Sequence, residues 1–179
     1  MPGIFDGMGS AKSRMDSNYV IPSHALARIN KCKIGKNRKD EGFFVVEMTI
    51  VHNCEPDKYE RGKYGHQPGE EVSHMLMSKH DSFLGNVKGF ISNTLDMDDE
   101  GIGEDEALAV AAEDQPLAGT VIEFVARNVV TKAGNDFTVV NYKGEVPMEQ
   151  VAEIFSKLED GEERMVRFFP NHVAVATPE

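Results

Sequence analysis

The chain lacks tryptophan altogether and has only two cysteines, Cys32 and Cys54, in 179 residues. Two cysteines make no disulfide framework, which excludes a secreted disulfide scaffold and makes a reducing cytoplasm the expected setting. No apolar run approaches the roughly 20 residues needed to span a bilayer, so no membrane partner is expected. The opening MPGIFDGMGSAKSRMDS has no apolar stretch after its charges, and nothing there reads as a signal peptide. Catalytic signatures are missing too. There is no G-x-S-x-G, no P-loop lysine motif, no G-x-G-x-x-G after a strand and no H-E-x-x-H. The expectation is a protein that is not an enzyme and needs no cofactor.

What is present suits one globular domain: 40% hydrophobic and 27% charged residues. The net charge of −11 hides an uneven distribution. Residues 1–96 are near neutral, whereas the rest is strongly acidic. Arg28, Lys31, Lys33, Lys36, Arg38 and Lys39 place six cations in twelve residues, while Asp98 to Asp114 holds eight acids and no base. Such asymmetry bears on partners rather than on fold.

Residues 1–18, rich in Gly, Ser and Met, are expected to form a flexible arm, with 19–179 a single domain. Tyr19–Ile34 reads as extended, with Ala27 and Ile29 on one side and Leu26, Cys32 and Ile34 on the other. After the polar connection 35–42 comes Phe43–Val51, whose Phe44, Val46, Met48 and Ile50 share one face. The two form a hairpin with a basic tip. A long loop over 52–69 leads to a short strand at Glu71–Ser78. Phe83, Leu84, Val87, Phe90 and Ile91 then fall at helical spacing behind a Ser82 cap. Residues 96–115 read as a solvated acidic loop. Gly119–Thr131 and Asp136–Tyr142 make a second hairpin, and 146–179 reads as a C-terminal extension. That extension holds a helix from Pro147 to Gly161 and a last strand over Met165–Ala176. Strand triplet, helix and strand pair is the order of a mainly β, OB-fold-like, five-stranded Greek-key barrel.

The basic hairpin forms a track suited to a phosphate backbone. Phe43, Phe137, Tyr142, and Tyr59 or Tyr64 are candidate stacking platforms, and Arg127, Lys132 and Lys143 add charge if the two hairpins share a groove. Metal chemistry has weaker support. Asp96–Gly101 imitates the start of a calcium loop, but Ala107 stands where a bidentate Glu is needed. His52, Cys54, His66, His74 and His80 lack the spacing of a built zinc site. No metal ligand is expected.

The runs Tyr19-Val20-Ile21-Pro22, Arg28-Ile29-Asn30-Lys31, Lys36-Asn37-Arg38-Lys39 and Gly42-Phe43-Phe44-Val45-Val46-Glu47 resemble the opening hairpin of bacteriophage single-stranded DNA-binding proteins. Gly85-Asn86-Val87-Lys88-Gly89-Phe90-Ile91 resembles the helix that follows. The likeness spans residues 15–145 in the order of elements. It implies an OB-fold that coats single-stranded DNA in phage replication and recombination, in the host cytoplasm, without sequence preference. Such proteins often end in an acidic tail that recruits partners. This chain instead ends His172-Val173-Ala174-Val175-Ala176-Thr177-Pro178-Glu179. Either segment 98–114 contacts replication or recombination proteins in the tail's place, or that function is missing. Deleting 98–114 is then expected to leave DNA affinity unchanged or raised. A homo-oligomer remains open. The rival readings are a protein-interaction or virion-assembly module and a metal-dependent nuclease.

Overall fold

The computed structural model describes residues 19–59, 65–134 and 136–171. Five strands form one antiparallel sheet: β1 (Ser23–Lys36), β2 (Gly42–Asn53), β3 (Glu71–Met77), β4 (Val121–Val130) and β5 (Asp136–Glu145). Their order across the sheet is β3-β2-β1-β4-β5. The first three strands, the helix and the second hairpin all stand close to the segments expected of them.

The two edge strands meet. His74 on β3 lies 2.6 Å from the Tyr142 hydroxyl on β5, Nδ1 to Oη, although three strands separate them in the sheet. The sheet is therefore rolled, and the architecture is β-barrel-like. Helix α1 (Phe83–Leu95) packs against both β3 and β5 and fills the gap between them. It buries Val87, Phe90, Ile91 and Thr94, and Phe90 meets Phe44 and Tyr142 at ring separations of 5.8 and 4.8 Å. Ser82 occupies the cap position but its side chain makes no capping bond.

Two corrections concern the second half of the chain. Residues 96–115 are not a solvated loop. They hold a 3-10 turn at Asp99–Gly101 and helix α2 (Glu104–Val110), and they bury Ile102 and Val110 in the main core. The eight acids take the outer side, and Glu104, Asp105 and Glu106 fall in α2's first turn, where the helix dipole favours them. The extension is also different from expectation. After α3 (Met148–Ser156), the segment read as a final strand continues as helix α4 (Gly161–Phe168). Met165, Phe168 and Phe169 recur at helical intervals and pack with Phe155 in a second buried cluster. Gly161 makes this turn possible, because a Cβ there would lie 1.8 Å from the Phe155 carbonyl oxygen. Residues 172–176 of the expected strand lie outside the described residues.

Both faces of the sheet are thus used. The inner face carries the main core with α1 and α2. On the outer face α3 and α4 sit over Leu26, Val51, Val121 and Val146.

Candidate nucleic-acid interface

Strand β1 changes character at Asn30. The register runs Ile29↔Met48 and then Lys31↔Glu47, so Asn30 is an inserted, bulged residue. A bulge resets alternation, which is why Cys32 lies inward with Ala27 and Ile29 rather than opposite them, as strict alternation implied. Pairing with β4 also ends at Arg28. Beyond it the free edge of β1 is closed by Gln115. Its side-chain oxygen accepts the Cys32 N–H at 2.8 Å, and its amide donates to the Cys32 carbonyl at 3.0 Å.

The same bulge turns Lys31 and Lys33 outward. Cross-strand rows on this outer face read Gly35–Phe43–Met77, Lys33–Val45–Met75, Lys31–Glu47–Ser73 and Arg28–Thr49–Glu71. Cations line β1 beside a strip of Phe43, Val45, Met75 and Met77, and neither buried cluster draws on those four side chains. Phe43 packs its ring over Gly35, which has no side chain to displace it. Phe43 stays partly exposed and Met75 is 40% exposed. Sequence reasoning missed Met75 and Met77, whose role is visible only once register aligns them with Lys33 and Phe43.

The track is less positive than the run of cations suggests. Lys33 pairs with Glu47 at 2.8 Å and Lys36 with Asp40 at 3.4 Å. At the tip, the Asn37 amide and then Lys79 and Lys39 hold the Glu41 carboxyl below its usual range. Among the described residues, Lys31, Arg38 and Lys39 have no ion-pair partner. Arg28 is engaged elsewhere: it donates to Asn30 at 3.3 Å and to the Phe168 carbonyl at the end of α4, where a cation suits the helix dipole.

The remaining expected contacts do not gather here. Tyr142 is 4% exposed and belongs to the core, turned inward beside a bulge at Lys143. It is not a stacking platform in this fold. Tyr59 is likewise buried, and Tyr64 lies outside the described residues. Arg127 and Phe137 are exposed on the outer face of β4–β5, Lys132 is in the turn, and Lys143 is exposed on β5. Because β4 runs antiparallel to β1, the 131–134 turn leaves the sheet at the opposite end from the 37–41 turn. The two hairpins therefore do not place their cations as neighbours.

The histidines at 52, 66, 74 and 80 lie in different surroundings. His66 is buried and accepts the Ile21 N–H, while His74 bonds Tyr142. His52 lies against Phe155, and His80 is exposed in a turn. Among the described residues, the calcium-like run brings no three potential ligand atoms together. No family model matches the chain, and no curated protein matches its sequence.

Proposed function

We propose that the protein binds single-stranded nucleic acid, in the first instance DNA and without sequence preference, across the outer face of β1–β3. The observation that supports this most is the set of cross-strand rows aligning Lys31 and Lys33 with the partly exposed strip of Phe43, Met75 and Met77. Cations on one side would follow phosphates, and the apolar strip would receive bases. The strand order is also that of an OB barrel opened between β3 and β5, which favours the phage single-strand-binding resemblance. Replication and recombination are the processes such coating would serve.

The acidic segment reaches this face. Glu113 lines a hollow of about 370 Å³ with Lys31, Lys33 and Phe43, which suits competition with DNA. Since Ile102 and Val110 are core residues, deleting 98–114 would damage the fold. Neutralising Glu113 and Asp114 is the cleaner substitute, and affinity should rise.

The test is fluorescence anisotropy with labelled oligo-dT and matched duplex at low and moderate salt. Tight, salt-sensitive preference for the single strand is expected. Reversing Lys31, Arg38 and Lys39 to Glu should flatten the log–log salt slope by about 2, since each phosphate left unneutralised removes about 0.7. Phe43→Ala should cost about 1–3 kcal/mol of binding if a base stacks there. No binding at low salt sinks the reading.

One observation favours the rival interaction module. An apolar hollow of about 570 Å³ lies between α1, α2 and β1–β2, with Leu84 76% and Leu108 51% exposed at its rim. If that surface is the working one, Leu84→Glu with Leu108→Glu should abolish self-association or partner binding while leaving DNA binding intact.

A further inference from the structure

Away from that face, three strand ends converge on a cluster with metal-ligand chemistry. The β1–β4 register pairs His24 with Val125 and Leu26 with Glu123, which makes His24 and Glu123 diagonal neighbours on the outer face. Cys54 follows β2 and donates its N–H to the His24 carbonyl at 2.9 Å. One donor atom from each of His24, Cys54 and Glu123 lies within 4.8 Å of the others, and all three residues are partly buried. Among the described residues this is the one such grouping.

The hydrogen bonding around His24 does not balance with a neutral ring. Its Nδ1 lies 2.9 Å from Glu55 Oε2 and its Nε2 lies 2.5 Å from Glu123 Oε2. A neutral imidazole has a single N–H, and ionised carboxylates only accept. One of the two ring nitrogens therefore faces a carboxylate without a proton to share, and a cation held there once the two groups part would relieve that mismatch. Metal-bound histidines characteristically donate their other ring N–H to a carboxylate, the relation Glu55 has to Nδ1. Soft sulfur with imidazole and carboxylate favours zinc over magnesium or calcium.

We propose that His24 Nε2, Cys54 Sγ and a Glu123 carboxylate oxygen bind a divalent cation of the zinc class, with Glu55 orienting the imidazole. Tetrahedral zinc with bonds of about 2.0–2.3 Å sets its donors about 3.3–3.8 Å apart, so His24 Nε2 and the Glu123 oxygen, 2.5 Å apart, separate as the ion enters while Cys54 Sγ draws in. Water would take the fourth position. Binding displaces the thiol proton and the shared imidazole proton to solvent, and no oxidation is involved. The ion would tie the start of β1, the end of β2 and the start of β4 together beside α3 and α4. Cys54 is no free nucleophile, since burial and then Glu123 and Glu55 push its thiol up to about 12.

The test titrates cobalt(II) into protein stripped with a chelator. A thiolate-to-cobalt charge-transfer band in the near ultraviolet is expected, and zinc should displace it. Cys54→Ser should abolish the band, whereas Cys32→Ala should keep it. Glu55→Gln should weaken zinc by about 10–100-fold against a chromophoric chelator. If Cys54→Ser does not fold, the wild-type protein still decides the matter: zinc should raise its thermal midpoint. Absence of both band and shift in wild type overturns the proposal, as does a band that survives Cys54→Ser.

Discussion

The two halves of β1 differ in almost every respect, although one strand contains both. From Ser23 to Arg28 it has β2 on one side and β4 on the other, core packing inward, and α3 with α4 over its outer face at Leu26. From Lys31 to Lys36 it has β2 alone, a side-chain amide in place of a neighbouring strand, and an outer face that no buried cluster claims. The first half is enclosed and the second is available. The physical lesson is that an inserted residue at Asn30 divides a stabilising segment from a recognising one without breaking the strand.

The sharpest way to break this comparison is to truncate one large side chain over each half. Phe155, fully buried in the cluster above Leu26, should cost about 3–5 kcal/mol as Phe155→Ala, read from urea unfolding. Met75→Ala, at a 40%-exposed residue in the row of Val45 and Lys33, should cost under about 1 kcal/mol while weakening oligo-dT binding. Equal losses of stability would show that the outer face of the second half is also structural.

Acid probes the inner face beneath the available half, where Cys32, Val46 and His74 form one row. Burial pushes His74 down to about 4 from an ordinary 6.5. Above pH 6.5 neither the folded nor the unfolded chain protonates it, so it has no effect there. As pH falls from 6.5 to 4 only the unfolded chain takes the proton, and stability falls by up to about 3 kcal/mol. Below 4 this contribution is constant. His52 and His66, also lowered chiefly by burial, act in the same direction. The double variant His74→Phe, Tyr142→Phe should flatten much of the slope in urea midpoints between pH 7 and 4.

The fold was legible where period alone decides. Phe44, Val46, Met48 and Ile50 alternate without interruption, and all four are core. Ile122, Phe124 and Ala126 behave likewise. Legibility failed at the bulge in β1, because an inserted residue shifts the phase of everything beyond it and turns Cys32 inward; Tyr142, in unbroken register opposite Phe124, lies inward by plain alternation. In 96–115, nine acids masked the spacing of Ile102 and Val110, which pack in one core cluster with α1 residues. For the candidate site, the cations of the hairpin were readable as a run. Their pairing with Glu47 and Asp40, and the strip of Met75 and Met77 beside them, depend on register, which a run cannot encode.

The boundary of the available half is held by Gln115, which adopts a φ of 45°, a left-handed conformation that costs a non-glycine residue about 1–3 kcal/mol. The two bonds it makes to the Cys32 backbone are the visible compensation. Gln115→Ala keeps the unfavourable backbone and leaves the Cys32 N–H without its acceptor, so a loss of about 1–3 kcal/mol is expected. Amide exchange at Cys32 should accelerate more than at Ala27. Equal acceleration would mean that the free edge is protected by something other than Gln115.

The smallest expected change in stability gives the most specific reading of the second half. Lys33 and Glu47 form an ion pair in which both side chains are more than a third exposed, at 44% and 36%. Such pairs contribute only about 0–1 kcal/mol, so Glu47→Gln should leave the urea midpoint nearly unchanged. Electrostatically the change is larger, because it removes an acid from the middle of the rows and releases Lys33 for another anion. Affinity for oligo-dT at low salt should rise, and the salt slope should steepen by about 0.7, the share of one further phosphate neutralised. The same substitution at Glu123, on the enclosed side of the strand, should leave that slope alone. If Glu47→Gln does not steepen it either, phosphates do not pass over Lys33, and the basic run would be a solvated face whose charges happen to share a strand.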